Sequence, residues 1–524
     1  MNITLAKNIL KQLVERGVFS FCICPGGRSA PFIELLSQSK GLSLFYFFEE
    51  RSAGFFALGR SQRDKNPVAV ITTSGTAVAE LLPCVIEADY SKVPLVLMTC
   101  DRPLKFGQKG CPQTLKKASS LFKDYCKLSQ NISRLQDFNL ENWNLSSSLH
   151  LNICFEEPLI DEKVDSLDFS KKKTKKIKLL KPFRNFQKRS TQELNKFFKC
   201  SKKPLILIGE LKDYEVPMVK NILKSYNNPI YLEALSQLQG VFPSLLSGEK
   251  ILSYALKNRH IDSVLRIGGV PRSRFWRDLE KDYLPVLNLS SAPYYEGLSR
   301  FTYNHHLLEQ DEQILKDRLF NLKDFGKDLK TFDQIQSKKY QKILKQYPKS
   351  EQAWFLTLKK SLKPHSKVFL GNSSPIRFWD QIVFCQKKSL KIQGQNGVNG
   401  IDGLLSRFLG QCEEKNPNVA FLGDLSLLYD MSGFWKSKSY PPWTVFVINN
   451  FGGQIFSRLY KNSDFLNSHN ISFEALAKMW SISYKLYKDP FLLKKNQAYT
   501  LIEIQPSNLE TKKTWKEYLN LWNA

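Results

Sequence analysis

Val419-Ala420-Phe421-Leu422 leads directly into Gly423-Asp424-Leu425-Ser426, and Val445-Phe446-Val447-Ile448 leads into Asn449-Asn450-Phe451-Gly452-Gly453. Each stretch is a short apolar run that ends in polar residues and glycine, which is typical of a buried strand followed by a turn. Asn450 follows Asp424 by 26 positions, about the length of one strand–helix–strand unit. In a parallel sheet both residues therefore lie at the carboxyl ends of neighbouring strands, the edge at which α/β proteins bind ligands.

The polar groups at this edge suit a metal ion that also holds a diphosphate. The Asp424 carboxylate, the Asn450 amide oxygen and the Gly452 carbonyl are oxygen ligands of the kind that Mg²⁺ or Mn²⁺ accepts. Glycine at 452 and 453 allows a diphosphate to approach closely, and the helix after Asp424 offers its N-terminal N–H groups. Either half alone would be explained as a helix cap or a turn. Together, at this spacing, they predict a metal–diphosphate site.

The same alternation of apolar strands and helices runs along all 524 residues. Continuous apolar strands separated by helices indicate parallel sheets that are covered on both faces. We therefore expect an α/β protein with three consecutive doubly wound domains, at 1–175, 176–348 and 349–524. Two lysine-rich stretches, 171–178 and 307–350, are predicted to connect the domains. The predicted strands are Val18–Cys24, Leu42–Phe48, Pro67–Thr73 and Pro94–Thr99, then Pro204–Gly209, Pro229–Leu232, Ser263–Gly268 and Pro285–Leu289, and finally Lys367–Gly371, Asn418–Leu422, Trp443–Ile448 and Tyr499–Ile504.

The composition excludes several classes of protein. Hydrophobic residues at 42% and charged residues at 24% are ordinary globular values. The 10 cysteines contain no Cys-x-x-Cys pair, which argues against a disulfide scaffold or a zinc site. The net charge of +28 has two explanations, a polyanionic partner such as nucleic acid or a lysine-rich solvated surface.

We expect a chain that works where it is made, without a membrane span. Lysine, glutamate and arginine interrupt the N-terminal segment, so no signal peptide is expected. The first motif begins at Cys24, which leaves no room for a transit peptide. The uncharged stretch 439–457 contains proline and glycine pairs that would break a membrane helix. The expected location is the bacterial cytoplasm, or the plastid stroma if the gene is carried by an organelle.

Gly-Asp-x-Ser at 423–426, followed by Asn-Asn-x-Gly at 449–452, resembles the signature of the thiamine-diphosphate-dependent enzymes. Longer strings resemble one family among them, the 2-succinyl-5-enolpyruvyl-6-hydroxy-3-cyclohexene-1-carboxylate (SEPHCHC) synthases of menaquinone and phylloquinone biosynthesis. The resemblance implies that the three domains are, in order, a pyrimidine domain, a middle domain and a diphosphate domain. The strings are Cys24–Ser29, Glu50-Arg51, Thr73–Ala79, Asp101-Arg102-Pro103, Gly400–Ser406, Gly423–Tyr429 and Gly452–Ser457.

This resemblance implies that Glu50 is the catalytic acid beside the aminopyrimidine ring of thiamine diphosphate, where it promotes the tautomer that deprotonates the cofactor. From the sequence alone, the better interpretation of Glu49 and Glu50 is a pair of surface acids at a helix N-terminus, and the metal signature and the family strings reverse it. Ile401 is implied to hold the cofactor bent, unless it is an ordinary core isoleucine. The implied cofactor-binding residues are Glu50, Pro25, Gly26, Thr73, Ile401, Gly423, Asp424, Leu425, Ser426, Gly453 and Gln454, with Mg²⁺ or Mn²⁺ on Asp424, Asn450 and Gly452.

The family's reaction implies two anionic substrates, 2-oxoglutarate and isochorismate. The first loses carbon dioxide, and its remaining four-carbon unit adds to the second. Both substrates are dicarboxylates, which suit the forked donors of guanidinium groups. The implied substrate-binding residues are Arg28, Arg102, Gln113, Arg274, Ser373, Arg377, Asn396, Ile455 and Phe456.

The chain departs from the family pattern at four positions, one of which is Arg274, where lysine is usual. Gly27 stands where serine is usual, and Phe451 where asparagine is common. Asn396 stands where the family usually has arginine, which removes a charged hydrogen bond of about 1.5–3 kcal/mol. The family also places the pyrimidine domain of one subunit against the diphosphate domain of another, so a homodimer or homotetramer is expected.

Two other functions remain open at this stage. One is another thiamine-diphosphate-dependent decarboxylase or an acetolactate-type synthase. Decarboxylases typically carry a histidine pair near the first-domain site, which 109–113 lacks, and no dinucleotide fingerprint suggests a flavin. The other is a nucleic-acid-binding protein on a degenerate enzyme fold, which the joint presence of Glu50, Asp424 and Asn450 argues against.

Overall fold

The computed structural model describes residues 1–524 except 108, 144, 146, 171–189, 225, 282, 291–300, 307–310, 386–389, 494–497 and 524. It contains three parallel sheets whose strands alternate with helices along the chain, which confirms the predicted fold class. Short 3-10 turns connect many of the elements. The predicted linker at 171–178 lies outside the described residues. None of the described helices is long and apolar enough to cross a membrane.

The first sheet has six parallel strands in the order β2-β1-β3-β4-β6-β5. Two helices rather than one follow β3, because Pro83 has no N–H to donate and lies in the first turn of the second helix. The strands are β1 Ser20–Ile23, β2 Ser43–Tyr46, β3 Val68–Thr72, β4 Leu95–Asp101, β5 Cys126–Ile132 and β6 Ser148–Cys154. The helices are α1 Asn2–Glu15, α2 Ala30–Gln38, α3 Glu50–Asp64, α4 Thr76–Ala79 and α5 Leu82–Ser91.

The second sheet has five parallel strands in the order β11-β10-β9-β7-β8. The stretch 307–350, predicted only as a connection, contains two helices, of which the second buries Leu329, Tyr340 and Leu344 beneath a lysine-rich outer face. The strands are β7 Pro204–Ile208, β8 Ile230–Leu232, β9 Ser263–Ile267, β10 Pro285–Ser290 and β11 Phe301–His306. The helices are α6 Ser190–Cys200, α7 Val216–Leu223, α8 Lys250–Lys257, α9 Arg274–Asp278, α10 Asp311–Phe320 and α11 Lys327–Gln346.

The third sheet has six parallel strands in the order β13-β12-β14-β15-β17-β16. β14 and β15 are hydrogen-bonded neighbours with Gly423 opposite Ile448, as the two apolar runs before Asp424 and Asn450 predict. The strands are β12 Lys367–Leu370, β13 Lys391–Gly394, β14 Asn418–Gly423, β15 Trp443–Ile448, β16 Ser483–Tyr487 and β17 Thr500–Ile504. The helices are α12 Glu351–Ser361, α13 Ser374–Gln381, α14 Leu404–Gln411, α15 Asp424–Tyr429, α16 Phe473–Met479 and α17 Asn508–Asn520.

The chain divides into two compact units. Unit 1 comprises 1–181, 395–414 and 426–442 and contains the first sheet, whereas unit 2 comprises 182–394, 415–425 and 443–524 and contains the other two. Each sheet falls within one of the three predicted domain ranges. The borders at 175/176 and 348/349 stay predictions.

Within unit 1, α14 crosses α3 at unusually short range. A Cβ atom on Gly59 would lie 2.1 Å from the Arg407 carbonyl oxygen, and a Cβ atom on Gly410 would lie 2.1 Å from the Phe56 carbonyl oxygen. Only glycine fits at this crossing because any side chain would collide with the backbone of the other helix. The crossing fixes the segment that precedes α14 relative to the start of α3, where Glu50 lies.

Candidate active site

In unit 1, the loops after four neighbouring strands leave the same edge of the first sheet. The strands are parallel and paired in the order β2-β1-β3-β4, so their carboxyl ends lie side by side. Six of the residues predicted for the first domain lie on these loops. Pro25, Gly26 and Arg28 follow β1, Glu50 follows β2, Thr73 follows β3, and Arg102 follows β4.

Gly26 and Thr73 are in close contact across this edge. A Cβ atom on Gly26 would lie 2.5 Å from Thr73 Cβ, closer than two side chains can pack. The neighbouring Ser29 hydroxyl accepts the Gly26 N–H at 3.1 Å and donates to the Gly26 carbonyl at 2.9 Å, which holds the loop in place. Gly26 is therefore required for steric reasons, to let the loop after β1 approach the loop after β3.

We expect Gly26→Ala to lower the free energy of unfolding by about 1–3 kcal/mol, because the added methyl group must displace Thr73. Urea denaturation of the two proteins measures the loss. Gly27→Ala is the matched control, since a Cβ atom there meets nothing within 4 Å. Equal stability of the two variants would contradict the close approach.

Glu49 and Glu50 have different roles at the start of α3. The Glu49 side chain caps the helix by accepting the N–H groups of Arg51 and Ser52, both at 3.1 Å. The half-buried Glu50 carboxyl receives no hydrogen bond from any other described residue. Burial raises the pKa of Glu50, its own N–H lowers it, and the nearby carboxylates of Glu49 and Glu80 raise it further. Glu50 is therefore an unengaged acid that is more readily protonated than a surface glutamate.

A buried polar cluster behind Glu49 was not predicted from the sequence. Glu49 Oε2 accepts the Ser432 hydroxyl at 2.7 Å, and Asp430 accepts the Ser406 N–H at 2.7 Å and its hydroxyl at 2.8 Å. Ser52 bridges the two halves through its hydroxyl, 2.7 Å from Ser432 and 3.4 Å from Asp430. Burial raises the pKa of Asp430 to about 7. The family strings that end near Ser406 and Asp430 were the available signal for this cluster, which positions the start of α3.

The predicted substrate-binding residues of the first domain differ in their burial and in their hydrogen bonds to the rest of the protein. The buried Arg28 guanidinium donates to Glu157 and to the Phe155 carbonyl, while its Nε, also buried, has no partner among the described residues. Arg102 Nε donates to the Pro112 carbonyl at 2.8 Å. The exposed Gln113 lies against Gly75, with its Cα 3.3 Å from the position of a Cβ atom there. Arg102 and Gln113 thus belong to one surface beside the loop after β3.

Asn396 and Ile401 precede α14 and also belong to unit 1. Both polar side-chain atoms of Asn396 are buried without a hydrogen-bond partner among the described residues. The next two N–H groups, of Gly397 and Val398, donate to Glu87 at 2.9 and 2.8 Å. Glu87 is itself buried in an ion pair with Arg407 at 2.7 Å. The Asn396 backbone is thus fixed while its amide remains available, and the Ile401 side chain is half-buried.

In unit 2, Asp424 and Asn450 meet at the carboxyl ends of β14 and β15, as predicted. Asp424 Oδ2 accepts the Gly452 N–H at 2.9 Å, and Oδ1 accepts the Leu425 N–H at 2.7 Å. Burial raises the pKa of Asp424, and these two N–H groups oppose the rise. The Asn450 Nδ2 donates to Glu351 at 3.1 Å, which leaves Asn450 Oδ1 buried without a partner in the described part of the chain.

The donor set fits a hard divalent cation. A 3%-exposed carboxylate, an amide oxygen without a partner and the carbonyl of Gly452 lie at one sheet edge, and Mg²⁺ and Mn²⁺ accept oxygen ligands of this kind. No group of three or more histidine, cysteine or acidic side chains in the described residues could hold a metal, so this mixed set is the relevant one. Two contributors were missed from the sequence. Glu351 orients Asn450, and His469 Nε2 lies 3.4 Å from Asp424 Oδ2.

The other residues predicted for this site end β14 or follow β14 or β15 along the chain. Gly423 ends β14, and Gly453 and Gln454 follow Gly452. Ile455 is half-buried and Phe456 is 41% exposed on the short 3-10 turn that begins at Gln454. Ser426 is buried on α15 and belongs to unit 1.

Three further predicted substrate residues lie elsewhere in unit 2. Ser373 immediately precedes α13 with a φ of +70°, and its carbonyl accepts a hydrogen bond from Nη1 of the exposed Arg377 at 2.7 Å. Arg274 is exposed at the start of α9 and forms an ion pair with Asp278 at 3.4 Å. Ser373 and Arg377 therefore form one group, whereas Arg274 belongs to a different element.

Comparisons with known proteins identify the family of the chain. Residues 3–121 match the family model described as "Thiamine pyrophosphate enzyme, N-terminal TPP binding domain". The 2-succinyl-5-enolpyruvyl-6-hydroxy-3-cyclohexene-1-carboxylate synthase of Bdellovibrio bacteriovorus is 38% identical over 537 residues, covering 99% of each chain, and that of Akkermansia muciniphila is 30% identical, covering 97% of each.

Among solved structures, the benzoylformate decarboxylase of Polynucleobacter necessarius superposes with a TM-score of 0.67 at 16% identity, covering 97% of this chain and 98% of that one. This similarity concerns the fold alone. The full-length identity to the two synthases goes further: the chain belongs to the SEPHCHC synthase family of thiamine-diphosphate-dependent enzymes.

Proposed function

We propose that this protein is a thiamine-diphosphate-dependent SEPHCHC synthase of menaquinone or phylloquinone biosynthesis. It would decarboxylate 2-oxoglutarate and add the remaining four-carbon unit to isochorismate, releasing carbon dioxide. The observation that carries the proposal is similarity over 99% of the chain, at 38% identity, to an enzyme of that name. Two further observations support it: the half-buried Glu50 carboxyl without a hydrogen bond to another described residue, and the oxygen donors at Asp424 and Asn450.

The metal and the diphosphate of the cofactor would be held at the carboxyl edge of the third sheet. Asp424, the Asn450 amide oxygen and the Gly452 carbonyl would bind Mg²⁺ or Mn²⁺, and the backbone at Gly453 and Gln454 would face the diphosphate. When bound, thiamine diphosphate supplies the electron sink for decarboxylation of a 2-oxo acid. Glu50 would hold a proton at the aminopyrimidine ring nitrogen, a task suited to its raised pKa.

The substrate carboxylates would be bound by guanidinium groups. In unit 1 these are Arg28 and Arg102, with Gln113 beside them, and in unit 2 Arg377 and Arg274, with Ser373 donating a hydroxyl. Ile455 and Phe456 would supply apolar surface. Asn396 replaces the arginine that is usual in the family, so we expect a neutral amide contact there and weaker binding of one carboxylate.

Donor specificity tests the proposal. With thiamine diphosphate and Mg²⁺, we expect carbon dioxide release from 2-oxoglutarate to require isochorismate, and pyruvate and benzoylformate to give no release under the same conditions. A coupled assay for released carbon dioxide, run on the three donors with and without isochorismate, measures this. Release from pyruvate would favour an acetolactate-type synthase. Release from benzoylformate alone would favour a simple decarboxylase and overturn the proposal.

We also propose that the active site forms between two copies of the chain, with Glu50 from one subunit and Asp424 from the other. Subunit mixing tests this arrangement. Glu50→Gln and Asp424→Asn are each expected to be inactive alone. When they are mixed in equal amounts, about half of the dimers contain one copy of each variant, and each such dimer has one intact site of two. About a quarter of the wild-type activity should therefore return. Mixing that restores nothing, although mass spectrometry detects mixed dimers, would place both residues in the same subunit's site.

A further inference from the structure

A cavity in unit 2 lies apart from the predicted cofactor and substrate residues. Its volume is about 450 Å³, and none of its described lining residues belongs to the predicted site. It is lined by residues that follow β8, among them Ala234 and Gln239, together with Trp379 of α13 and Ile392 of β13. A cavity of this size is within the range of small-molecule sites.

The inner wall of this cavity contains a buried cation. Lys359 of α12 is 3% exposed, and its Nζ lies 4.5 Å from the centre of the Trp379 ring. No described residue accepts a hydrogen bond from this ammonium group or forms an ion pair with it. Contact with the aromatic ring offsets part of the cost of burial, but the three N–H donors find no acceptor among the described residues. A buried cation in this state is unusual unless a ligand or water completes it.

The surrounding polar groups do not neutralise Lys359. Asp380 attracts it, but Asp380 Oδ1 accepts the Ala234 N–H at 2.6 Å and Gln239 Nε2 at 3.2 Å. At the exposed rim, Asp213 is already paired with Lys391 at 3.2 Å. Lys220 adds a further positive charge to the lining. Burial lowers the pKa of Lys359 to about 8, so the group is still mostly protonated near neutral pH.

Two more buried polar atoms of the lining residues lack partners in the described part of the chain. The Trp379 Nε1–H donor and the Gln239 Oε1 acceptor have no hydrogen-bond partner among the described residues. The lining also contains the apolar residues Val216, Val241 and Leu390, and Gln237, whose side-chain amide is hydrogen-bonded to the Ile392 backbone. The cavity therefore offers a cation and an N–H donor at its inner end and hydrocarbon along its sides, which is the complement of an organic anion.

We propose that this cavity binds a small organic carboxylate, with its carboxylate on Lys359 and its hydrocarbon body against Trp379, Val241 and Leu390. The ligand supplies the acceptors that Lys359 lacks, and its apolar body removes the cavity's apolar lining from water. An inorganic anion supplies acceptors for Lys359 but does not cover the apolar lining, and a neutral hydrocarbon covers the lining but supplies no acceptor. The proposal does not depend on the proposed function.

Hexanoate is the probe, titrated into the full-length protein by isothermal calorimetry at neutral pH. We expect saturable millimolar binding, about tenfold weaker or absent for hexanol and for inorganic phosphate. Lys359→Met, which keeps the chain length and removes the charge, should weaken hexanoate binding by about tenfold or more. Lys342→Met, at an exposed lysine of α11, is the matched control and should bind as the wild type does.

A second measurement uses the wild type alone, in case Lys359→Met folds poorly. Acylation of lysines by an activated acetate ester, followed by mass spectrometry of peptides, reports the accessibility of each amine. Hexanoate should slow the labelling of Lys359 and leave Lys342 unchanged. Unprotected Lys359 at saturating hexanoate, equal hexanoate affinity of wild type and Lys359→Met, or tighter binding of phosphate than of hexanoate would each overturn the proposal.

Discussion

Replacing Glu50 by glutamine should lower turnover by about 10²–10⁴-fold, the usual contribution of a positioned acid–base group. Glutamine keeps the size of the side chain but cannot hold or release a proton at the cofactor ring. The carboxyl has no structural hydrogen bond to another described residue, so the variant should remain folded. Steady-state carbon dioxide release, with the far-UV circular dichroism spectrum as the check on folding, measures the effect.

Glu49→Ala is the matched control for this variant. Glu49 caps α3 and accepts the Ser432 hydroxyl, so its loss should cost about 1 kcal/mol of stability or more. Turnover should fall far less than in Glu50→Gln. If Glu50→Gln kept full turnover while Glu49→Ala lost it, the two acids would have been assigned in the wrong order.

The raised pKa of Glu50 gives the same variant a pH signature. A carboxyl whose folded pKa lies above its unfolded value favours folding at low pH, and this contribution is lost as the pH rises through the folded pKa. Glutamine does not titrate. The melting temperature of Glu50→Gln relative to the wild type should therefore be higher at pH 7 than at pH 4, and a difference that is constant with pH would contradict the assigned environment.

Replacing Asp424 by asparagine should abolish metal-dependent cofactor binding. The substitution keeps an acceptor for the Leu425 N–H but removes the charge that a divalent cation requires. Mn²⁺ affinity should fall by at least about 100-fold, because even residues behind a metal ligand contribute 10–100-fold. Wild-type protein should gain about 2.7 kcal/mol of stability at a cofactor–metal concentration of 100 Kd, and the variant about 0.4 kcal/mol or less. Thermal unfolding with and without Mn²⁺ and thiamine diphosphate measures both.

Glu474→Gln is the control for Asp424→Asn in the same unit. Glu474 is exposed on α16 and pairs with Lys478 at 3.0 Å, a surface contact of small energetic value. Its loss should leave metal affinity and stability nearly unchanged. Retention of the Mn²⁺-dependent stabilisation in Asp424→Asn would mean that the metal, if one binds, has other ligands.

The sequence was most informative where a local pattern determines the geometry. An apolar strand followed by Asp424, and a second followed by Asn450, suffice to bring the two residues together, because parallel neighbouring strands end at one edge. The central strands of all three sheets are apolar and buried on both faces, so their existence and order of appearance were predictable. The resemblance to a known family then supplied the roles of these residues, which composition and spacing alone did not.

Polar strands were missed because their environment, rather than their sequence, makes them strands. β6 is fully buried although it contains His150 and Asn152, both hydrogen-bonded to Thr99 at 2.8 and 2.9 Å. Burial lowers the pKa of His150 to about 3, so this histidine is neutral inside the sheet. β5 and β16 form edges of their sheets and are only partly buried.

The different roles of Glu49 and Glu50 could not be predicted from the sequence either. Two adjacent acids at a helix start look alike in sequence, and only the capping geometry shows which one is committed to the backbone. The cluster around Asp430 depends on contacts between residues nearly 400 positions apart, such as Ser52 with Ser432. Such contacts follow from the tertiary fold and have no local signal.

One measurement tests the central claim most directly. The protein is incubated with Mg²⁺, thiamine diphosphate, isochorismate and 2-oxoglutarate labelled with ¹³C at its first carbon. We predict that labelled carbon dioxide and an unlabelled product with the mass of SEPHCHC form in equal amounts, and that omission of isochorismate suppresses both. Labelled carbon dioxide without this product, or no turnover of 2-oxoglutarate at all by folded, cofactor-loaded protein, would contradict the proposed function.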